Sequence, residues 1–196
     1  MKFERNRGRQ YRYIPAQMTV RSDDAGPVIS CYFAVFNTPP ELWPGCIEQV
    51  APGAFASSLN GDVRALINHE TRLVLGRTVA GTLTLREDET GLYGEIKINE
   101  HDSDAMNLYA RVQRGDVSQC SFGFDIVAED YVLGPDGQTC TWTLREVILY
   151  EVSVVTFPAY EATSAMARAS GDIESLKAAR LERRKKELLE RIKKHA

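Results

Sequence analysis

The chain has 196 residues, of which 43% are hydrophobic and 26% charged, values ordinary for one folded domain with appendages. No apolar run is long enough to cross a membrane as a helix, and the basic start is not followed by the apolar segment of a secretory leader. The net charge of −3 hides an asymmetry, because residues 177–196 carry nine basic and three acidic side chains, which leaves −9 for the first 176 residues. An acidic body with a basic tail predicts a tail that docks on an acidic surface.

The cysteines and histidines are too scattered to predict a metal site. Cys31, Cys46, Cys120 and Cys140 show no CxxC spacing and no clustering with the three histidines. This pattern argues against zinc and against a disulfide framework, and it predicts free thiols in a reducing compartment. The sequence also contains no phosphate-binding loop, so we expect no metal and no cofactor.

Composition divides the chain into three parts. Residues 1–16 are basic and polar and predict a flexible N-terminal arm, with an edge strand as the alternative. Residues 17–167 predict the folded domain. Residues 168–196, where isolated leucines and isoleucines lie among charged side chains, predict a linker and a charged amphipathic C-terminal helix.

The folded part is expected to be mostly strand. Asn37–Gly45 contains three prolines and predicts irregular structure. Helices are predicted at 52–59 and at 103–114, the second capped by Asp102 or Ser103 and stopped by Gly115. Strands are predicted where β-branched and aromatic residues recur between turn signals, at 18–21, 28–36, 46–50, 63–67, 73–77, 80–85, 92–98, 126–132 and 139–144. The sequence leaves open whether the last of these continues to Val155.

The segment 115–126 opens with a turn and then alternates in polarity. Alternation assigns two sets of side chains to opposite faces of a strand, with Phe122, Phe124 and Ile126 on one face and Ser121, Gly123 and Asp125 on the other. Taken alone, the pattern is typical of a half-buried strand whose small polar residues face solvent. A serine beside a strand glycine could also attack a peptide laid across that face, since such a glycine often marks a close approach.

A catalytic serine needs a base, and the base needs an orienting group. His69 ends the apolar strand 65–67 and is predicted to stand at the rim of a sheet, although a lone histidine is more often structural. His101 lies in a polar run before a helix and is expected to be solvated or capping. His195 lies in the tail and is not expected to take part.

One carboxylate is predicted to be buried. Glu151 lies in a strand whose alternation gives it four neighbours on one face, Val147, Leu149, Ser153 and Val155. A buried carboxylate must be paired or neutral, so it needs an imidazolium or a cation such as Arg77. Glu70 and Glu146 have solvent available and are weaker candidates.

Four segments in a fixed order carry a family resemblance. They are residues 32–37 with 48–55, Asn68-His69-Glu70 with 75–77, Ser121-Phe-Gly-Phe124, and 151–159, which reads Glu-Val-Ser-Val-Val-Thr-Phe-Pro-Ala. Over most of residues 28–167 the chain resembles the prohead (capsid maturation) serine proteases of tailed bacteriophages, which are distantly similar to herpesvirus assemblin. It departs from the family pattern at Glu70, where Asp is common, and at Tyr160, where Asn is common.

The resemblance implies a role for each candidate. His69 would be the general base, Ser121 the nucleophile and Glu151 the third member, in place of the second histidine of the herpesvirus enzymes. Ser118 and Ser153 are rival nucleophiles outside the Ser-Phe-Gly-Phe context. Cys120 is expected to point into the core, and the loop 157–160 is expected to supply an oxyanion donor.

The resemblance also implies a fold and a function. The fold would be mostly β with peripheral helices: an antiparallel, closed or nearly closed β-barrel of the herpesvirus-assemblin and phage prohead protease type, plus the C-terminal charged helix. The function would be a serine endopeptidase that cleaves scaffold and capsid-protein extensions, and itself, inside the immature prohead in the bacterial host cytoplasm.

The expected partners and the alternative function follow from the same resemblance. The partners would be the capsid protein and its scaffolding region. The resemblance leaves a homodimer open. The lack of a long apolar run predicts no membrane partner, and the charge of the body disfavours nucleic acid. The alternative is a non-catalytic capsid-assembly or scaffolding protein on the same fold.

Overall fold

The computed structural model describes residues 8–23, 26–38, 41–43, 45–136 and 139–157. The strands are β1 Gln10–Pro15, β2 Thr19–Asp23, β3 Gly26–Val35, β4 Glu41–Trp43, β5 Cys46–Val50, β6 Arg64–Ile67, β7 Glu70–Arg77, β8 Leu83–Glu87, β9 Gly91–Lys97, β10 Gln119–Leu133 and β11 Cys140–Val155. One α-helix, α1 Ser103–Arg114, and a 3₁₀ turn, Thr78–Ala80, accompany them in the described ranges. Among these residues, no helix has the length and apolarity needed to span a membrane.

The expected mostly-β architecture is confirmed, but the described strands do not form one closed antiparallel barrel. They make two sheets, one with the order β2-β3-β9-β8 and a larger one with the order β1-β10-β11-β5-β4, in which β6 and β7 branch from β11. The larger sheet is mixed, because the 16-residue β11 pairs in parallel with β5 along its first half and with β6 along its second half. One apolar cluster draws on both sheets and on α1.

Part of the N-terminal segment is an edge strand, which the sequence offered as the alternative to a flexible arm. This strand, β1, comprises residues 10–15 and pairs antiparallel with β10. The guanidinium of Arg12 forms a bidentate ion pair with the buried carboxylate of Glu48 and so ties this edge to β5. The expected C-terminal helix and its linker lie outside the described residues.

The helix at 103–114 begins and ends where the sequence predicted. The Asp102 carboxylate accepts hydrogen bonds from the backbone N–H groups of Asp104 and Ala105, and Gly115 closes the helix at φ 86°. The buried residues of α1 recur at the spacing of one helix face: Ala105, Leu108, Tyr109 and Val112. Local capping signals were therefore sufficient for this element.

Two local predictions were wrong. The helix expected at 52–59 is a run of turns, because Gly53 adopts φ 86° and the N–H of Phe55 donates to the carboxylate of Glu87 at 2.9 Å. The proline-rich segment expected to be irregular includes the short strand β4, which pairs with β5.

The expectation of four free thiols was also wrong. Cys46 and Cys140 are register partners in the parallel pair of β5 and β11, and they form a disulfide with a Cα–Cα distance of 4.5 Å. Cys31 and Cys120 remain free and buried, with 2.9 Å between their sulfur atoms. A sequence separation of 94 residues hides the first pairing, because only the sheet register brings the two cysteines together.

Candidate active site

Strand β10 separates its side chains as predicted up to Phe124. Cys120, Phe122 and Phe124 belong to the apolar core, and Ser121 and Gly123 point to the opposite face. That face is not open to solvent, because Ser121 is 0% exposed. The predicted half-exposed serine is therefore a buried one.

A bulge in β11 aims Glu151 at this face. Phe124 is opposite Leu149, whereas Gly123 is opposite Glu151, so Tyr150 is an extra residue between them. A bulge resets the alternation of a strand, and bulges are frequent beside active sites. The prediction that Leu149 and Glu151 share a face was thus wrong. Leu149 lies in the core with Phe124, whereas Glu151 lies on the opposite face with Gly123.

His69 follows β6, which runs parallel to the second half of β11. Asn68 and His69 adopt φ values of 50° and 61°, a left-handed conformation that costs about 1–2 kcal/mol for each residue with a Cβ. Hydrogen bonds to the end of β11 hold the turn: the N–H of Asn68 donates to the carbonyl of Val154 at 3.0 Å, and its side-chain oxygen accepts from the N–H of Thr156 at 2.8 Å. The strained turn brings the imidazole back over the sheet.

The imidazole and the buried carboxylate are in direct contact. Nδ1 of His69 lies 2.6 Å from Oε1 of Glu151, whose residue is 5% exposed. The hydroxyl of Ser153 donates to the other oxygen, Oε2, at 2.6 Å, and accepts from the backbone N–H of His69 at 3.3 Å. Arg77, the alternative partner considered for Glu151, binds Asp62 instead. A carboxylate at Nδ1 orients the ring so that Nε2 is the basic nitrogen.

Gly123 leaves the room that this contact needs. A Cβ atom at position 123 would lie 2.5 Å from Oε1 of Glu151 and 3.0 Å from the ring of Tyr11. The sequence predicted a close approach at this glycine, and the group that approaches is the carboxylate that holds His69.

Ser121 lies beside this pair. It is the register partner of Ser153, and cross-strand partners lie about 5 Å apart at their Cα atoms. Within the described residues, neither Oγ of Ser121 nor the buried Nε2 of His69 has a hydrogen-bond partner. Buried polar atoms are seldom left unpaired, so two of them on one small site indicate chemistry that needs an incoming group.

Strand β1 covers the same face. Tyr13 is opposite Ser121 in register, and Tyr11 is opposite Gly123. Their rings meet the imidazole of His69 edge-on, with centroid distances of 4.5 Å for Tyr11 and 6.1 Å for Tyr13. These tyrosines therefore lie on the same face of the sheet as Ser121, which is buried.

Comparison with known proteins assigns the chain to a family. The family model described as caudovirus prohead serine protease matches residues 16–178. The chain belongs to this family. It is 34% identical over 136 residues to the prohead protease of Enterobacteria phage HK97, a match that covers 66% of this chain and 57% of that protein. The chain therefore spans less than two thirds of the length of this relative.

One solved structure resembles this chain with a lower sequence identity. The bacteriophage T4 capsid assembly protease, gp21, is 9% identical and gives a TM-score of 0.46, with 76% of this chain and 99% of that chain covered. This likeness is too low to add to the family assignment.

Apart from Ser153, the other candidates within the described residues are exposed. Among the histidines, His101 is exposed on a turn before α1, and His195 lies outside the described residues. Glu70 and Glu146 are exposed, as is the rival nucleophile Ser118. The described ranges also contain no group of three or more His, Cys, Asp or Glu side chains that could hold a metal.

Cys120, next to Ser121 in the chain, points into the core as expected. Burial raises the pKa of its thiol well above the usual range, and the contact with Cys31 adds to the effect. A thiol that stays protonated is a poor nucleophile, which supports the interpretation of Cys120 as a packing residue.

Sequence reasoning missed three contributions to the site. The tyrosines of β1 could have been found, since Tyr11 and Tyr13 alternate as a strand requires. The bulge at Tyr150 and the bonds of Ser153 had no such signal, because both depend on how β11 pairs with its neighbours. For the oxyanion donor expected at 157–160, residues 158–160 lie outside the described ranges.

Proposed function

We propose that this chain is a serine endopeptidase of prohead maturation, with Ser121 as nucleophile, His69 as general base and Glu151 as the group that orients the imidazole. The observation that carries the proposal is the 2.6 Å contact between Nδ1 of His69 and Oε1 of Glu151 beside the register position of Ser121. The family membership supports the same reaction class. The three residues follow the order His, Ser, acid in the chain, as the family resemblance implies.

The reaction follows from these roles. Oγ of Ser121 attacks the scissile carbonyl carbon while Nε2 of His69 takes the hydroxyl proton. The C–N bond then breaks, and His69 passes that proton to the leaving amine, which leaves an acyl-enzyme. Water attacks the acyl carbon and gives a proton to Nε2 of His69. The ester bond between the acyl carbon and Oγ then breaks, His69 returns the proton to Oγ of Ser121, and the carboxylic acid product leaves. Glu151 stays ionised and stabilises the imidazolium that forms twice.

The unpaired state of Oγ and Nε2 is compatible with this mechanism. Catalytic hydrogen bonds are often long or misaligned before substrate binds, and they tighten in the complex. A peptide must displace part of the cover that Tyr11 and Tyr13 provide before it can reach Ser121.

The substrates and the place of action are part of the proposal. The extensions of the capsid protein and its scaffolding region are the expected substrates, together with this chain itself, inside the immature prohead in the host cytoplasm. The basic residues of 177–196 support docking of the tail on an acidic partner in that assembly.

One observation favours a second candidate, a non-catalytic assembly protein on the same fold. Ser121 is 0% exposed, so the described conformation offers no nucleophile to a substrate. A fluorophosphonate probe, which reacts only with an activated serine, separates the two candidates.

The test uses paired serine variants. The chain is co-expressed with the phage capsid protein, as wild type, as Ser121→Ala and as Ser118→Ala, and trimming of the capsid protein is followed by mass. We expect trimming and fluorophosphonate labelling to be lost in Ser121→Ala and in His69→Ala, and kept in Ser118→Ala, whose serine is exposed three residues away. Trimming that continues in Ser121→Ala overturns the assignment, and a wild type that neither trims nor labels favours the assembly protein.

A further inference from the structure

We propose that Ser153 is a positioning residue that holds both the backbone of His69 and the carboxylate that binds its imidazole. This inference rests on the proposed function and deepens it. Ser153 is 0% exposed, and its hydroxyl makes two hydrogen bonds. One is donated to Oε2 of Glu151 at 2.6 Å, and the other is accepted from the backbone N–H of His69 at 3.3 Å. A single hydroxyl therefore touches the orienting carboxylate and the backbone of the base.

The first bond fixes the carboxylate. Glu151 uses Oε1 for the ring of His69, which leaves Oε2 buried and in need of a donor. An ionised carboxylate has only acceptor sites, so the hydroxyl of Ser153 supplies what Oε2 requires. With both oxygens engaged, the carboxylate cannot rotate out of the plane in which it meets Nδ1.

The second bond fixes the backbone that carries the ring. His69 and the residue before it both have positive φ, a conformation that residues with a Cβ keep only when their surroundings hold them there. The N–H of His69 donates to the hydroxyl of Ser153, which lies two residues along β11 from Glu151. The ring is thus held at its backbone and at Nδ1 through the same side chain.

These bonds also distinguish Ser153 from Ser121, the proposed nucleophile. Its proton is already donated to Glu151, and its oxygen already accepts from His69. Ser121, by contrast, has a hydroxyl without a hydrogen-bond partner among the described residues. Two serines that are register partners therefore take different tasks, one positioning the base and the other available for attack.

The test measures the position of the imidazole independently of turnover. A proton held between a ring nitrogen and a carboxylate gives a low-field NMR signal, which ¹⁵N-histidine labelling and the His69→Ala variant assign. We expect this signal in the wild-type protein and its loss or upfield shift in Ser153→Ala. The matched control is Ser30→Ala, which removes a buried hydroxyl from the other sheet and should leave the signal unchanged.

Kinetics supply the second readout. We expect kcat to fall roughly 10–100-fold in Ser153→Ala with KM unchanged, because small displacements of a catalytic group cost about that much. If Ser153→Ala does not fold, Ser153→Cys carries the same test, since a thiol has a similar size but is a much weaker donor.

An unchanged low-field signal together with an unchanged kcat, in either folded variant, overturns the proposal. A wild type that shows the signal but cleaves nothing would contradict the proposed function and leave the positioning role standing.

Discussion

The carboxylate of Glu151 occupies the space that a side chain at position 123 would need. Gly123 and Glu151 are register partners across β10 and β11, and a Cβ at Gly123 would lie 2.5 Å from Oε1. The same oxygen meets Nδ1 of His69. The glycine of the Ser-Phe-Gly-Phe segment therefore makes room for the carboxylate that binds His69, the proposed base, and it lies two residues along the strand from Ser121, the proposed nucleophile.

The first prediction is that Gly123→Ala abolishes most activity without unfolding the protein. The added methyl group must push the carboxylate away from its position, and Nδ1 of His69 then loses its partner. Misplacement of this kind costs on the order of 100-fold in kcat. The measurement is the rate of fluorophosphonate labelling or of peptide cleavage, with circular dichroism to show that the fold is kept.

Two glycines provide matched controls for this substitution. Gly94→Ala creates a clash of similar closeness, 2.6 Å from the ring of Phe33, but in the other sheet, so it should lower stability and leave the rate per folded molecule unchanged. Gly8→Ala meets nothing within 4 Å and should be neutral. A Gly123→Ala variant as active as Gly8→Ala would show that the carboxylate has another position available.

The sequence placed the candidate residues on their elements but not the way they meet. Alternation put Ser121 opposite the aromatic face of its strand, and the apolar run before His69 put that residue at the rim of a sheet, whereas their roles as nucleophile and base came from the family resemblance and remain proposals. Glu151 was correctly expected to be buried with a partner, although the alternation assigned it to the wrong face. The bulge at Tyr150 explains this error, because an extra residue in one strand is invisible unless the partner strand is known.

The fold shows the same division between local and non-local information. Helix α1 was predicted to the residue, since Asp102 and Gly115 act within one turn of its ends. The disulfide between Cys46 and Cys140 and the parallel pairing of β11 were missed, because both depend on contacts between segments far apart in the chain. Chain-distant pairing is set by the packing of the whole domain, for which one sequence carries little local signal.

The second prediction concerns the anchor of β1. Arg12→Met breaks the bidentate ion pair with Glu48, a carboxylate whose side chain is 2% exposed. Breaking a buried ion pair from one side costs about 3 kcal/mol of unfolding free energy. Urea unfolding of the wild type and the variant measures this difference directly.

Two further variants show whether the cost comes from the buried charge. Arg12→Met combined with Glu48→Met should be more stable than Arg12→Met alone, because the buried carboxylate is removed together with its cation. Arg145→Met breaks an exposed pair with Asp130 and should change the unfolding free energy by less than about 1 kcal/mol. Equal losses of unfolding free energy in Arg12→Met and Arg145→Met would contradict the role of the Arg12–Glu48 pair as an anchor of β1.

The third prediction concerns the disulfide between Cys46 and Cys140. The two residues are 94 positions apart, so the bond closes a long loop and removes much freedom from the unfolded chain. The loop-closure relation gives a stabilisation of about 4–5 kcal/mol. We expect reduction with dithiothreitol to lower the unfolding free energy of the wild type by that order and to leave the double variant Cys46→Ser, Cys140→Ser unaffected. A reductant that changes neither protein would argue against the bond.

The fourth prediction follows from the raised pKa of Cys120, which burial and the contact with Cys31 place well above that of a free thiol. Because the folded-state pKa is the higher one, the folded protein holds this proton more tightly than the unfolded chain does. The resulting stabilisation is complete below the unfolded pKa of about 8.5 and is lost as the pH rises from there towards the folded value. For one such group the unfolding free energy should fall by about 1.4 kcal/mol for each pH unit in that range.

The contribution of Cys120 can be isolated by comparing slopes rather than absolute stabilities. Cys120→Ala leaves a small cavity and should be less stable below about pH 8.5, but it lacks the titrating group, so its unfolding free energy should depend less steeply on pH between about 8.5 and 10. Thiol reagents should leave Cys120 unmodified in the folded wild type and modify it after unfolding, because the reactive species is the thiolate. If the unfolding free energies of the two proteins depend on pH in the same way, or if Cys120 is labelled rapidly in the native state, then the thiol beside Ser121 is not both buried and neutral.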